Sequence, residues 1–371
     1  MAEWQRVVNT TISRYLRKQE ENVMRNRKLT AMLRKKGRVK FNAAGKDLDW
    51  KIKYKRASVQ GQADGDTLTF DRKLRHKTAN LEWRGYAATD SVTKKERLMN
   101  KSVEAIVKIY ENIASDLMDD IEEAFSDELY IDGNATGNEK RIHGIESFFG
   151  ATQTITQSTT TSTVARTANA ADAAGYPDDT YAGLATKLGN YGGNWNSNWP
   201  EGTGDAHFDF WTPVLVNYTS TFFAGSAATW AQQCIDAMRY GIIKSQKNKS
   251  KKGQLDMILL AGELYRQALS KIDDDEQINV NRGQDSELVS LGFKDVFNLD
   301  GVDVTWEYGV PNNVGYGFNI DEMELQSLQG QMFVPEGPDW DIASQSYRFS
   351  VDFYGNLRCN PRHFVKFLTL A

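Results

Sequence analysis

The chain has 371 residues, 40% of them apolar and 25% charged, with a net charge of −4. That length predicts two to three domain-sized units with ample material for a core. No apolar run approaches 18 residues, which excludes a membrane-spanning helix, and the opening MAEWQRVVNTTISRYLRKQ lacks the apolar stretch and small-residue cleavage site of a secretory signal. Two cysteines, Cys234 and Cys359, are too few for a disulfide framework or a four-cysteine metal site, so a reducing compartment is expected. The four histidines, His76, His143, His207 and His363, are far apart in sequence and weaken a metallohydrolase reading. The small net charge conceals a partition: residues 1–100 carry 25 Lys+Arg against 11 Asp+Glu, and the remainder 20 against 38. Such halves attract each other between copies, contact nucleic acid from one face, or are simply two differently solvated regions.

Residues 3–36 have helical spacing in Trp4, Val8, Ile12, Tyr15 and Leu16, then Met24, Met32 and Leu33, with Gly37 placed just past a helix C-terminus. The stripe is thin and interrupted, which predicts that a neighbouring subunit orders this basic amphipathic helix. From Trp50 the period changes to two: Trp50, Ile52 and Tyr54 share one strand face and Lys51, Lys53 and Lys55 the other. Turn-rich residues 60–66, the β-like Thr67–Phe70 and the run Leu81–Arg84 with Trp83 complete a long two-stranded hairpin. A lone hairpin is marginal in water, so its apolar face needs a cover, from its own domain or from another copy.

Thr93-Lys94-Lys95-Glu96 is a capping box opening the strongest helical pattern. Met99, Val103, Ile106, Tyr110, Ile113, Leu117, Ile121 and Phe125 follow at spacings of three or four, and nothing breaks the pattern before Gly133. Unbroken, this helix is about 58 Å long, as long as the roughly 54 Å diameter of a compact globule of this size. The competing reading breaks it near Asp119-Asp120, and Asp119, Asp120, Glu122 and Glu123 form its wet face.

Residues 152–206 are Thr/Ser-dense, then Gly-, Asn- and Trp-rich, and read as an exposed, irregular excursion. Helices are expected over 226–247 (stripe Trp230, Cys234, Met238, Ile242) and 263–272, and a buried strand over 255–260. Residues 302–308 and 347–353 alternate as strands, the second running to a turn at Tyr354-Gly355-Asn356. The tail 363–367 is expected to dock. The fold class is α+β.

Chemical motifs are absent: there is no G-x-S-x-G, H-E-x-x-H, C-x-x-C, phosphate-binding loop or dinucleotide fingerprint. Cys359 and His363 are four apart but in a β-like stretch with Pro361, and Asp273–Glu276 lacks the spaced ligands of a calcium loop. No catalytic, cofactor-binding or metal-ligating residue is assigned, and no cofactor is expected.

The order of elements (basic arm, long hairpin, very long helix, α/β body, final strands) resembles the tailed-phage major capsid proteins of the Hong Kong 97 capsid fold. Leu129–Gly133 followed by Ile142-His143-Gly144-Ile145, the segment 254–272, and Gly355-Asn356-Leu357 with Asn360-Pro361 resemble matching stretches of that family. The resemblance implies an N-terminal arm at 1–37 and an extended hairpin at 38–92. A spine helix and peripheral domain follow at 93–148, then an axial domain at 149–339 with an insertion near 152–206, and closing peripheral strands at 340–371.

It further implies a non-enzymatic coat protein forming hexamers and pentamers of an icosahedral head. Partners would be a separate scaffolding protein, a portal, a decoration protein and non-specifically held double-stranded DNA, with no membrane. Assembly would occur in the host cytoplasm and the final location would be the virion. Arm and hairpin would reach over neighbours, making Trp4, Tyr15, Trp50, Lys51, Ile52, Lys53, Tyr54, Lys55 and Trp83 intersubunit residues. Tyr191, Trp195 and Trp199 would be lattice or decoration contacts. Some relatives crosslink a hairpin Lys to an Asn, for which Lys51, Lys53, Lys55 and Asn356 are formal candidates beside ordinary salt bridges or solvated lysines. The alternatives are an encapsulin-like cellular compartment and a nucleic-acid-binding protein using the basic N-terminal region.

Overall fold

Among the described residues, five helices of six or more residues and eighteen strands carry the architecture. In chain order they begin α1 (Lys28–Lys35), β1 (Val39–Ala43), β2 (Leu48–Lys53), β3 (His76–Leu81), β4 (Arg84–Thr93), α2 (Lys94–Met99) and α3 (Val103–Glu128). The short strands β5 (Thr154–Ser158), β6 (Thr163–Thr167), β7 (Ala174–Gly175), β8 (Thr180–Tyr181) and β9 (Leu184–Ala185) follow, then β10 (Val214–Asn217), α4 (Trp230–Ser245), β11 (Met257–Leu260) and α5 (Gly262–Asp274). Last come β12 (Val296–Leu299), β13 (Val302–Trp306), β14 (Gly315–Phe318), β15 (Met323–Leu328), β16 (Val334–Asp341), β17 (Ser346–Cys359) and β18 (Val365–Leu368). The computed structural model describes residues 27–54, 59–70, 74–99, 103–149, 154–158, 163–167, 174–175, 179–186, 210–224, 229–246, 254–274, 287–330 and 333–369. Trp4, Tyr15, Lys55, Tyr191, Trp195 and Trp199 lie outside these residues.

Two sheets organise the chain. The larger has seven strands in the order β12-β13-β11-β14-β18-β10-β7. Its middle is apolar without alternation: every residue of β10, β11 and β18 is buried, as expected when helices cover a sheet. α4 lies against it by the stripe read from the sequence, Trp230, Cys234, Met238 and Ile242, all at most 4% exposed. Gly241 allows that approach, since a Cβ there would sit 2.7 Å from the Phe367 ring. The smaller sheet runs β1-β15-β17-β16, with β4 also paired to β17. β17 pairs with β4 along Ser346–Gly355, with β16 along Ser346–Asp352 and with β15 along Gly355–Cys359.

Several expectations need correction here. The strand predicted to end at Tyr354-Gly355-Asn356 runs straight through, because Gly355 is where two partner strands crowd in: a Cβ would meet Gln326 O at 2.5 Å. Met323–Leu328 and Val334–Asp341 belong to the smaller sheet, and Val365–Leu368 inserts between β14 and β10 of the larger one. A domain division at 339/340 therefore does not match sheet membership. The hairpin is also shorter than 38–92: β1 lies parallel to β15 and β4 lies on β17, leaving β2 and β3, with Thr67–Phe70 outside any strand.

The capping box forms as read: Glu96 N donates to Thr93 Oγ1 at 3.3 Å, and Thr93 N to Glu96 Oε2 at 3.0 Å. α3 is unbroken at Asp119-Asp120, and its 26 residues give about 39 Å. Leu117, Ile121 and Phe125 are buried, with Phe125 edge-on to Phe333 and Phe353.

The chain then folds back through 129–149 with Gly144 inside the turn, where a Cβ would lie within 2.7 Å of three backbone oxygens. Arg84 donates to the carbonyls of Gly133, Asn138 and Arg141. Tyr86 accepts from Ile142 N at 2.6 Å and donates to Glu128 at 2.7 Å, while Arg141 bridges to Glu128. The segment ends by inserting Glu146, which meets Lys366 Nζ of β18 at 2.7 Å and the Tyr316 hydroxyl of β14. A buried ion pair needs such extra hydrogen bonding to offset desolvation.

Candidate intersubunit surfaces

The hairpin falls into two parts. In its base, β2 pairs antiparallel with β3 from Leu48↔Leu81 to Lys53↔His76, and burial alternates strictly along β2. Trp50, Ile52 and Tyr54 are only 5–6% exposed, all covered by the same chain. Trp50 Nε1 donates to Asn360 Oδ1 at 2.9 Å, Tyr181 packs 6.3 Å from its ring, and the Arg358 guanidinium stands 5.2 Å over it. The expectation that a neighbour covers this face is thus corrected: alternation shows that one face is buried but not which chain buries it. Lys51 and Lys53 are exposed on the other face. Trp83 is half-buried and donates to Gly45 O at 3.1 Å, again within its own chain.

The tip behaves oppositely. Residues 59–70 are exposed, held by Gln60–Thr69 hydrogen bonds and by Asp66 accepting from Ala63 N. Val59 (94%), Phe70 (90%) and Leu74 (76%) present almost their whole side chains to solvent. A second apolar patch lies at the far end of the smaller sheet, comprising Leu98 and Met99 of α2 and Ile342 in the β16–β17 turn. Lys94 N donates to Gln345 O there, fastening the start of α2 to that turn. Exposed apolar groups clustered in this way mark contact surfaces.

The stretch expected to be an exposed insertion is partly core. β5 and β6 form a regular antiparallel ladder of β-branched and polar residues, and β7 adds to the larger sheet beside β10. Most telling is the tight β8–β9 hairpin. Tyr181 is 0% exposed, donates to Leu357 O at 2.8 Å, and accepts from Cys359 N at 3.0 Å. Its ring stacks on Trp211 and meets Phe148 edge-on. Asn80 N donates to Ala182 O, so this plug also holds the hairpin base.

The described part of the arm is likewise clamped by its own chain. Leu29, Met32 and Leu33 of α1 are fully buried. Lys28 Nζ reaches Thr305 Oγ1 and Trp306 O, Leu29 N donates to Glu307 Oε2 at 3.1 Å, Lys36 pairs with Asp256 at 2.7 Å and Arg38 with Asp321 at 2.8 Å. Burial lifts the Glu307 carboxyl above the usual range, against the hydrogen bond from Leu29 N and the nearby Arg27 and Lys28 charges. Asp256 and Asp321, with Glu287 and Asp303, line a polar cavity of about 240 Å³ beside Met32.

No chemistry assembles around the formal candidates. Asn356 is fully buried, with Oδ1 accepting from His143 N and Leu357 N and Nδ2 donating to Glu82 O, so it is not presented to a hairpin lysine. Burial pushes the Cys359 thiol well up and Cys234 up to about 11. His143 is pushed down to about 4, chiefly by burial and further by the Arg84 charge. Among the described residues no His, Cys, Asp and Glu cluster could hold a metal ion, and no helix is long and apolar enough to cross a membrane.

This combination of a long hairpin, a long helix beside a small sheet and a helix-covered seven-stranded sheet defines a phage-capsid fold of mixed helix and sheet. No family model matches the sequence, and no curated protein matches it. Solved structures do. The chain is similar to one in the capsid asymmetric unit of cyanophage A-1(L), at 15% identity and a TM-score of 0.53, covering 90% of this chain and 89% of that one. It is also similar to capsid chains of the empty GTA particle (10% identity, TM-score 0.52, 91% and 96% covered) and of the native GTA particle (11%, 0.52, 91% and 90%). At such identities the likeness establishes the fold, over nine tenths of the chain.

Proposed function

We propose that this chain is a major capsid protein that assembles as hexamers and pentamers into an icosahedral phage head around double-stranded DNA. The observation that carries the reading is the fold likeness to capsid chains along nearly the full length of both partners. Two features support it: the exposed apolar hairpin tip and the apolar end of the smaller sheet, both unfavourable for an isolated soluble subunit. In this reading the seven-stranded sheet unit is the axial domain, the smaller sheet with α3 is the peripheral domain, and the hairpin tip reaches a neighbour. A scaffolding protein, a portal and a decoration protein are the accompanying partners. The chain's role is structural rather than catalytic, and its place is the virion after assembly in the host cytoplasm.

The test is assembly of the purified chain, alone and with scaffolding protein, followed by sedimentation velocity and negative-stain microscopy. Capsomers or closed shells are expected. A compact monomer at every concentration and salt, unresponsive to scaffold, would refute the reading. Shells that load a cellular enzyme instead of DNA would transfer it to the encapsulin-like alternative.

A further inference from the structure

α1 depends on the rest of the chain for its helicity. It has eight residues, too few for a stable isolated helix in water, and its N-cap residue Arg27 makes no side-chain capping bond. The cap comes from the other end of the sequence. Glu307, directly after β13, accepts from Leu29 N at 3.1 Å, a backbone group of the kind an N-cap side chain normally satisfies. Leu29, Met32 and Leu33 are buried beneath the helix. At its far end Lys36–Asp256 and Arg38–Asp321 are partly exposed ion pairs, which hold weakly. α1 is thus a strap whose N-terminal fastening is one buried carboxyl group.

That fastening is incompletely matched. Two buried carboxyl groups sit at the ends of one line of contacts. Glu146 meets Lys366 Nζ at 2.7 Å and the Tyr316 hydroxyl; Tyr316 stacks on Tyr130 at 5.8 Å; and Tyr130 faces Glu307. Glu146 therefore has a cation and a hydroxyl in direct contact. Glu307 Oε1 has no hydrogen-bond partner, and neither has the Tyr130 hydroxyl or Arg27 Nε, whose charges act on the same place. The cations nearest Glu307, Arg27 and Lys28, form no direct ion pair with it among the described residues. Lys28 Nζ is occupied by Thr305 Oγ1 and Trp306 O, and Asp295 also acts on it. A buried carboxylate in this setting favours its neutral form.

We infer that α1 is a pH-sensitive strap, held firmly while Glu307 carries a proton and loosened when Glu307 ionises. The inference concerns the single subunit and goes beyond the shell reading. Away from α1 the carboxyl returns to water and to an ordinary value of about 4.3, whereas burial lifts it when α1 is docked. The docked form binds the proton more tightly, so docking strengthens as pH falls and weakens as pH rises through the docked value. Release uncovers Leu29, Met32 and Leu33 together with the sheet surface beneath them.

The experiment is hydrogen exchange of the full chain, read by mass spectrometry and corrected for the intrinsic effect of pH, with α4 as internal reference. From about pH 5 to about pH 9, protection of residues 27–36 relative to α4 should fall at least threefold in the wild type, because local opening sets exchange. Glu307→Gln keeps an oxygen for Leu29 N but carries no charge, so it should hold the low-pH protection throughout and exceed the wild type at the alkaline end. Wild-type protection that does not change with pH overturns the inference. So does a Glu307→Gln variant protected no better than the wild type at the alkaline end, which would show that the negative charge fastens the strap. A Glu307→Gln chain that fails to fold overturns it equally, since the carboxamide is the nearest likeness of the protonated acid.

Discussion

The base and the tip of one hairpin, separated by a few residues, solve opposite problems. The base has its apolar side closed by Tyr181, Arg358 and Asn360 of its own chain, so its order is a property of the subunit. The tip has no apolar cover at all: Phe70 is 90% and Val59 94% exposed. Hydrophobic residues in the two places thus have different consequences. At the base they stabilise the monomer, and at the tip they cost solubility until something covers them. An apolar residue in an assembling protein is interpretable only once its cover is known to come from its own chain or from another.

The sharpest way to break this contrast is to truncate each side in turn. Trp50→Ala should destabilise the subunit by about 3–5 kcal/mol, the range for large aromatic deletions in cores, seen as a lowered urea midpoint. A wild-type midpoint would return this face to the neighbour. Tyr181→Phe keeps the ring but removes the hydroxyl joining Leu357 O and Cys359 N, and should cost about 1–3 kcal/mol. For the same reason, replacing residues 155–203 by a Gly-Ser linker should prevent folding, whereas a dispensable surface excursion would tolerate it.

A pH titration sharpens the base further. The folded-state pKa of His143 is depressed to about 4 from an ordinary value of about 6.5. The unfolded chain therefore binds the proton more readily between these values, and stability falls as pH drops from about 6.5 towards 4. His143→Gln should flatten that part of the stability–pH curve measured by denaturant melts, and an unchanged slope would refute the assignment. At the tip, Phe70→Ser with Leu74→Ser should change subunit stability by no more than about 0.5 kcal/mol while abolishing shells. A large loss of subunit stability would mean the tip belongs to the monomer core.

Much of this organisation was legible in the residues, for reasons that also explain what was not. Period and capping chemistry are local, so the Thr93–Glu96 box, the α3 stripe and the α4 stripe were readable directly. Alternation identified Trp50, Ile52 and Tyr54 as one buried face but carries no information about which chain does the burying. Tyr181 was missed because a two-residue strand in a polar, Gly-rich neighbourhood has too short a pattern to stand out; the only signal was an isolated Tyr-Ala-Gly-Leu run. Gly355 signalled a turn because glycine serves turns and close approach equally, and only the partner strands distinguish them. The docking of Val365–Leu368 in the larger sheet is a matter of long-range pairing that the apolar tail alone could not specify.

The central claim, that the base is covered by its own chain and the tip by a neighbour, is tested most directly by hydroxyl-radical footprinting of dissociated subunits and of assembled shells. Trp50 should be protected in both, whereas Phe70 and Leu74 should be labelled in subunits and protected in shells. Labelling of Trp50 in folded subunits, or equal labelling of Phe70 and Leu74 in both states, would contradict the account.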